Sequence, residues 1–279
     1  MIIVTGATGT LGRLVVERLL AVLPVGEVGV SVREPDKAAE LQARGVRVRA
    51  GDFRDAASLR LAFEGASRVL VISSNSSGAD AVAHHRTAIE AARAVGAGRV
   101  VYTSHMGANA DSRFAPMRDH AATEAILASS GLAFTALRNG FYVGSALAMI
   151  AQGLASGTIA APVDGPVSWT THADLADAAV IALTDARLDG VTSALTGSQA
   201  LDLAAIAGLA SERTGRSIQR VVVVDAEWRA QFLASGAPAE RVELMVGLFE
   251  ASRRGEFAAV DPALERLLGR PPGLLRDAL

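Results

Sequence analysis

Gly6, Gly9 and Gly12 stand three residues apart behind the β-branched run Ile2-Ile3-Val4-Thr5, and together they have the makings of an anion cradle. Gly6 can make a tight turn, Gly9 lets backbone N–H groups approach a pyrophosphate, and Gly12 lets the following helix press against the strand. Phosphates would then lie at the helix N-terminus, where unpaired N–H groups and the positive end of the helix dipole favour an anion. Ala7, Thr8, Thr10 and Leu11 complete the loop, so the whole segment Gly6 to Gly12 is the expected cofactor-binding turn. The spacing is one residue wider than the common dinucleotide fingerprint, and its weight comes from the strand before it and the helix after it.

A ribose site is expected about 20 residues beyond the glycine turn, at the end of the second strand. An NAD-type site would carry Asp or Glu there, whereas this chain carries Arg33. A guanidinium pairs with a 2′-phosphate in bidentate geometry and Lys37 is near enough along the chain to assist, so NADP(H) is favoured and NAD(H) stays open. After the third strand, Asp52 can accept from an adenine amino group while Phe53 covers the ring. The alternative is that Asp52 and Asp55 are turn and helix-cap residues.

Composition removes other chemistries. With no cysteine, disulfides, thiolate metal sites and cysteine nucleophiles are excluded. Adjacent His84 and His85 would point about 100° apart on a helix, a poor metal pair, so no metal is expected and one of the two should pack or face the cofactor cleft. A net charge of −2 with interspersed signs offers no stripe for nucleic acid or an anionic membrane. The chain lacks a cationic start before an apolar stretch and a charge-free run of about 18 residues, so a cytoplasmic location is expected.

These residues need a scaffold that gathers strand ends. Leu11, Leu14, Val15, Leu19, Val22 and Leu23 recur at helical spacing after the glycine turn. Further strands are predicted at 28–32, 46–50, 69–72, 99–103 and 134–138, with helical segments between them. Beyond residue 140 the rhythm changes. A helix is expected over 145–155, a Gly- and Pro-rich turn region over 158–168, and a helix capped by Thr171 running to about Thr184. A short edge strand near 191–195, a helix over 202–214, a strand at 221–224 and two helices around Pro238 follow. The fold class is α/β: a doubly wound parallel, Rossmann-like sheet with a small mixed α/β C-terminal substrate lobe. Residues 1–140 would form the dinucleotide-binding domain, with sheet-edge additions from about 170–196, and residues 141–279 mainly the lobe.

Taken in order, the glycine turn, Ser31-Val32-Arg33, Gly51-Asp52-Phe53, Ile72-Ser73-Ser74, Tyr102-Thr103-Ser104 and Leu137-Arg138-Asn139-Gly140-Phe141-Tyr142 resemble the NmrA-like atypical short-chain dehydrogenases, in particular the branch of bacterial quinone and triphenylmethane reductases. The resemblance covers essentially the whole chain. It implies pyrophosphate contacts at Gly6 to Gly12, a 2′-phosphate contact at Arg33 and adenine contacts at Asp52 and Phe53. Ser73, Ser74, Thr103, Ser104, Asn139, Gly140, Phe141 and Tyr142 would surround the ribose and nicotinamide. Substrate would lie between His105, Met106, Phe141, Tyr142 and the lobe, and the lining around Gly107, Gly140, Gly144 and Met149 leaves room for a flat ligand.

One departure bears on the chemistry. Where tyrosine-type short-chain dehydrogenases place Tyr-x-x-x-Lys, this chain has His120-Ala121-Ala122-Thr123-Glu124. An unactivated ketone, which needs strong general-acid help, is therefore disfavoured. A quinone or conjugated cation accepts hydride with little more than positioning, because the resulting charge is delocalised. His105, His120 and Tyr142 are the candidate proton donors, each with a plain alternative: His105 bonding the loop backbone, His120 pairing with Glu124, Tyr142 packing on the cofactor. The expected activity is NAD(P)H-dependent hydride transfer to a small quinone or polycyclic aromatic acceptor, extending to polyketide tailoring in which the quinol reacts on with oxygen. A non-catalytic dinucleotide-sensing regulator and an imine or enone reductase stay open, as do monomer and homodimer.

Overall fold

A computed structural model describes residues 1–185 and 188–279. β1 (Ile2–Thr5) leads through the glycine turn into α1 (Thr10–Val22), β2 (Val28–Val32) into the short α2 (Ala39–Ala43), and β3 (Arg47–Ala50) into α3 (Ala56–Phe63). β4 (Arg68–Val71) precedes α4 (Gly78–Ala94), and β5 (Arg99–His105) precedes α5 (Ala115–Ser129) and β6 (Ala133–Asn139). Next come β7 (Phe141–Tyr142), α6 (Val143–Ser156), β8 (Thr158–Ala161), β9 (Val167–Thr170), α7 (His172–Thr184), β10 (Gly190–Val191) and β11 (Ala200–Leu201). The chain closes with α8 (Leu203–Thr214), β12 (Gln219–Val222), α9 (Asp225–Ala234), α10 (Ala239–Arg253) and α11 (Ala263–Leu268).

Seven strands pair in parallel in the order β10-β6-β5-β4-β1-β2-β3, a doubly wound sheet. Its central strands are apolar on both faces, as a parallel sheet covered by helices on both sides requires. Val15, Val16 and Leu19 of α1 pack with Leu175, Ala179 and Leu183 of α7 on one face. On the other, Leu59 and Phe63 of α3 meet Ala88 and Ile89 of α4 and Leu127 of α5. A third apolar cluster joins Ile150, Ile159, Trp169, Ile206 and Phe249 in the C-terminal part of the chain.

The glycine turn takes the form its sequence predicts. Gly6 has φ +62°, a left-handed conformation that favours glycine. Gly12 sits where a Cβ would collide with the Gly6 carbonyl, within 2.7 Å of its carbon and 2.9 Å of Ala7 Cα. Only a residue without a side chain lets α1 approach β1 this closely. Thr171 caps α7 by accepting from the Asp174 N–H at 3.1 Å, also as predicted.

The expected turn region over 158–168 is a correction. β8 occupies its first four residues, with Ile159 and Ala161 buried and Thr158 and Ala160 exposed, a two-residue alternation overlooked beside the glycine and prolines. Its partner is β12, some sixty residues later, so the pairing is invisible locally. β12 ends at Val222 rather than 224, because Val224 already serves as the N-cap of α9. The edge strand near 191–195 is split: β10 pairs with β6, and Leu195 makes a separate parallel bridge to Asn139.

Replacing Gly12 by alanine forces helix and strand apart. The expected outcome is a loss of about 1–3 kcal/mol in unfolding free energy, read from urea midpoints against Gly26→Ala, whose added Cβ meets nothing within 4 Å.

Candidate active site

The carboxyl ends of β1, β2, β4, β5 and β6 open onto one edge of the sheet, the place where open α/β sheets hold ligands. Along this edge, several buried polar atoms lack a hydrogen-bond partner among the described residues: Ser74 Oγ after β4, His105 Nε2 at the end of β5, and the amide of Asn139 at the end of β6, which lies beside the Tyr142 phenol. Buried polar groups are nearly always paired, so such a row on adjacent strands calls for a partner, and a ligand bound along this edge would supply one. Gly9 adds the open side of a cradle, since a Cβ there would meet only the Gly6 carbonyl oxygen, at 3.4 Å. The residues present thus fit a dinucleotide lying from the glycine turn to the β4–β6 ends.

At the end of β2, Arg33 is exposed and makes no side-chain hydrogen bond or ion pair among the described residues. Lys37 is held by Glu34 at 2.6 Å, a fully exposed contact that solvent screens. Asp52 is gripped by Arg54 through three side-chain hydrogen bonds and its backbone N–H, which hold the carboxyl down at about 2. Phe53 packs at the margin of the core. Asp55 caps α3, accepting from Ala57 and Ser58 N–H groups.

At the other end the side chains are interlocked. Thr103 Oγ1 accepts from the Ser73 N–H at 2.8 Å, while the Ser104 hydroxyl is committed to Glu124 at 2.6 Å. Glu124 also takes Arg138 in a two-point grip at 2.7 and 3.0 Å. The alternative in which His120 pairs with Glu124 is not realised: a buried carboxylate is satisfied by a guanidinium fork better than by an imidazole, and His120 turns to the Tyr102 hydroxyl at 2.8 Å. His105 does bond the loop backbone, its Nδ1 accepting from the Gly107 N–H at 3.1 Å. The Met106 N–H donates to the Asn139 carbonyl at 2.8 Å, joining the ends of β5 and β6.

The structure brings His105, His120 and Phe141 together, while Tyr142 keeps only its phenol near Asn139 and turns its ring away from His105. Phe141 stands edge-on to His105 at 4.5 Å between ring centroids, and His105 lies 6.0 Å from His120 with planes 29° apart. Tyr142, the next strand residue, points to the opposite face and stacks on His172 at 4.3 Å. Met149 lines the C-terminal apolar cluster. Sequence reading missed Phe257 and Phe114, which complete the wall around Phe141, because neither lies in a motif and Phe257 is remote in the chain. It also missed Tyr102 as a polar group, since a tyrosine inside Val-Val-Tyr-Thr reads as an ordinary strand residue. His85, by contrast, is buried as one of the adjacent histidines was expected to be.

Burial sets the protonation states. It pushes His120 down to about 4 and His85 down to about 3, with repulsion from neighbouring histidines adding to the latter, and it holds His105 well below its ordinary value. It raises the Tyr102 and Tyr142 phenols. All five groups are neutral at physiological pH, so the site offers hydrogen-bond donors rather than strong acids.

The fold is a Rossmann-like scaffold of the kind that holds dinucleotides, and comparison with known proteins narrows it. A model of the NAD(P)H-binding family matches residues 6–186. Quinone oxidoreductase 2 of Escherichia coli strain K12 is 33% identical over 280 residues, spanning 100% of this chain and 97% of that protein. The crystal structure of an E. coli NADPH-dependent quinone oxidoreductase complexed with NADPH superposes with a TM-score of 0.93 at 32% identity, covering 100% of this chain and 98% of the other. Citrobacter sp. triphenylmethane reductase complexed with NADP(H) gives 0.92 at 30% identity, with 100% of both chains covered. The chain belongs to the NAD(P)H-binding family, and an NmrA-like oxidoreductase of Aspergillus flavus, 29% identical over 290 residues, is among its relatives. Among the described residues no helix is long and apolar enough to cross a membrane.

Two outcomes are expected. Arg33→Ala weakens NADPH binding by about 1.5–3 kcal/mol and NADH binding far less, in fluorescence titrations of the two cofactors; equal losses would remove the 2′-phosphate assignment. The buried histidines have folded-state values below their unfolded ones, so the unfolded chain takes up protons first. Stability is therefore full above about 6.5 and drains away as pH falls toward about 4. Urea midpoints across that range, in wild type and His120→Gln, would show a shallower decline in the variant.

Proposed function

We propose that this protein is an NADPH-dependent reductase of quinones and related flat, conjugated acceptors. The observation that carries the reading is the neutral, unpartnered His105 Nε2 at the carboxyl end of β5, beside an aromatic wall. Bound NADPH would supply the hydride; the protein's own groups hold and polarise the acceptor. The names of the related proteins, a quinone oxidoreductase and a triphenylmethane reductase, support the same acceptor class.

Gly6 to Gly12 cradle the pyrophosphate and Arg33 meets the 2′-phosphate. Ser74 and Asn139, with unspent polar atoms, border the ribose and the reacting end. Phe141 gives the acceptor ring an apolar face, and buried Phe114 and Phe257 back it and exclude water. Because the Gly107 N–H occupies Nδ1, neutral His105 carries its proton on Nε2 and donates it as a hydrogen bond to an acceptor oxygen. A neutral imidazole in this role stabilises developing negative charge without giving up its proton. When hydride adds to a quinone, the oxygen gaining charge is held by this donor and later takes its proton from solvent. An unactivated ketone would generate a far more basic alkoxide and would need the Tyr-x-x-x-Lys pair this chain lacks. Polycyclic quinones of polyketide tailoring fall in the same class, and their quinols react on with oxygen.

Loss of reduced-nicotinamide absorbance with benzo-, naphtho- and anthraquinones tests the reading. Turnover is expected to be faster with NADPH than NADH, and His105→Ala should lower kcat about 100-fold. No oxidation across the panel, despite tight NADPH binding, would overturn it. Comparing products with and without oxygen tests the tailoring extension.

A further inference from the structure

Behind His105 and His120, hydrogen bonds run from the backbone of the loop after β4 to the ring of His120, and the proton positions along them follow from one end. The Ser74 backbone N–H, which can only donate, points at His85 Nε2 at 2.9 Å. That nitrogen must be the bare one, so neutral His85 carries its proton on Nδ1. His85 Nδ1 lies 2.9 Å from Thr123 Oγ1, and the Thr123 hydroxyl spends its own proton on the Asp119 carbonyl at 2.8 Å.

The Tyr102 hydroxyl lies 3.4 Å from the same protonated Nδ1 and 2.8 Å from His120 Nδ1. His85 offers it no lone pair, and Thr123, the other polar neighbour of the phenol, already takes the His85 proton, so Tyr102 donates to His120 Nδ1, its shortest contact. His120 is then bare at Nδ1 and protonated at Nε2, an atom with no hydrogen-bond partner among the described residues. His105 reaches the same tautomer independently, through the Gly107 N–H. Two neutral imidazoles 6.0 Å apart, with planes 29° apart, thus each present an unspent Nε2–H.

We propose that Ser74, His85 and Tyr102 form a tautomer relay that makes His120 a second neutral hydrogen-bond donor, acting with His105 on an oxygen of the acceptor. The identity of that acceptor rests on the reductase reading; the tautomer does not. His85 and Tyr102 are positioning residues that act through His120. The relay begins in the loop that borders the cofactor, so the backbone at Ser74 sets where the proton sits on a ring one helix away. His120 fills the tyrosine position of the dehydrogenase motif, and with a fixed Nε2–H it needs no lysine to lower its pKa.

The test uses the free, full-length protein labelled with 15N-histidine. Side-chain nitrogen–proton correlation spectra, with His120 assigned by its loss in His120→Gln, should show Nδ1 unprotonated and Nε2 protonated in wild type. A wild-type ring protonated at Nδ1 overturns the relay by itself, with no variant needed. In Tyr102→Phe the ring should become a mixture of tautomers while His105 is unchanged.

Kinetics then separate a donor role from a structural one. For Tyr102→Phe, kcat with a quinone should fall about tenfold, the loss of one neutral hydrogen bond, with KM nearly constant. Reduction of a cationic triarylmethane dye, which carries no oxygen at the accepting centre, should be unaffected. Equal losses on both acceptors, or an unchanged quinone rate with a scrambled tautomer, would overturn the role given to His120. A wild-type protein that turns over neither acceptor would overturn the reductase reading and that role together, while the spectrum still decides the tautomer.

Discussion

The approach of α1 to β1 at Gly12 is the constraint on which the rest of the structure depends. β1 is an interior strand of the parallel sheet, and α1 can lie close to it only because no side chain intervenes over the Gly6 carbonyl. That approach aims the first turn of α1, with its free N–H groups, along the edge where the other strands end. It also lets α7 pack against α1, tying the later chain into the same apolar layer. Asp174 of α7 then anchors the C-terminal segment through Arg270 at 2.7 Å and the Gly273 N–H at 2.8 Å.

The electrostatic character of the site follows from how its one buried carboxylate is treated. Glu124 stands where a lysine would be in tyrosine-type relatives, and Arg138 and Ser104 satisfy it completely. Its charge is thereby spent inside the protein, leaving His120 and His105 in an apolar, aromatic setting that keeps them uncharged. Breaking such a pair on one side costs about 3–5 kcal/mol, so it also fixes α5 against β6. On the proposed reading, this arrangement exchanges acid strength for preorganised donors, which would suit acceptors whose reduced form delocalises charge.

Much of the architecture could be read locally. Alternating apolar runs and helical periods located β1 to β6 and most helices to within a few residues, and Arg33 and Gly6 to Gly12 stood out because their positions relative to β1 and β2 give them meaning. β8 was legible in principle, as Thr-Ile-Ala-Ala alternates, but a four-residue strand beside glycine and proline carries too little pattern to outweigh them. The aromatic wall and the Tyr102 network were not legible. Tyr102 is a well-behaved strand residue by propensity, and Phe257 is an isolated aromatic far from every motif.

By itself the sequence determined the doubly wound sheet, the glycine cradle, the cation after β2 and the loss of Tyr-x-x-x-Lys, because each depends on residue type at fixed short spacing. Tertiary structure alone decided that His120 turns to Tyr102 rather than to its helix neighbour Glu124, that Phe141 and not Tyr142 faces His105, and that Ser74, His105 and Asn139 are buried along one edge. Those choices come from strand register and from packing α4 and α5 against β5. They set which lone pair or proton meets which partner over distances that no local pattern encodes.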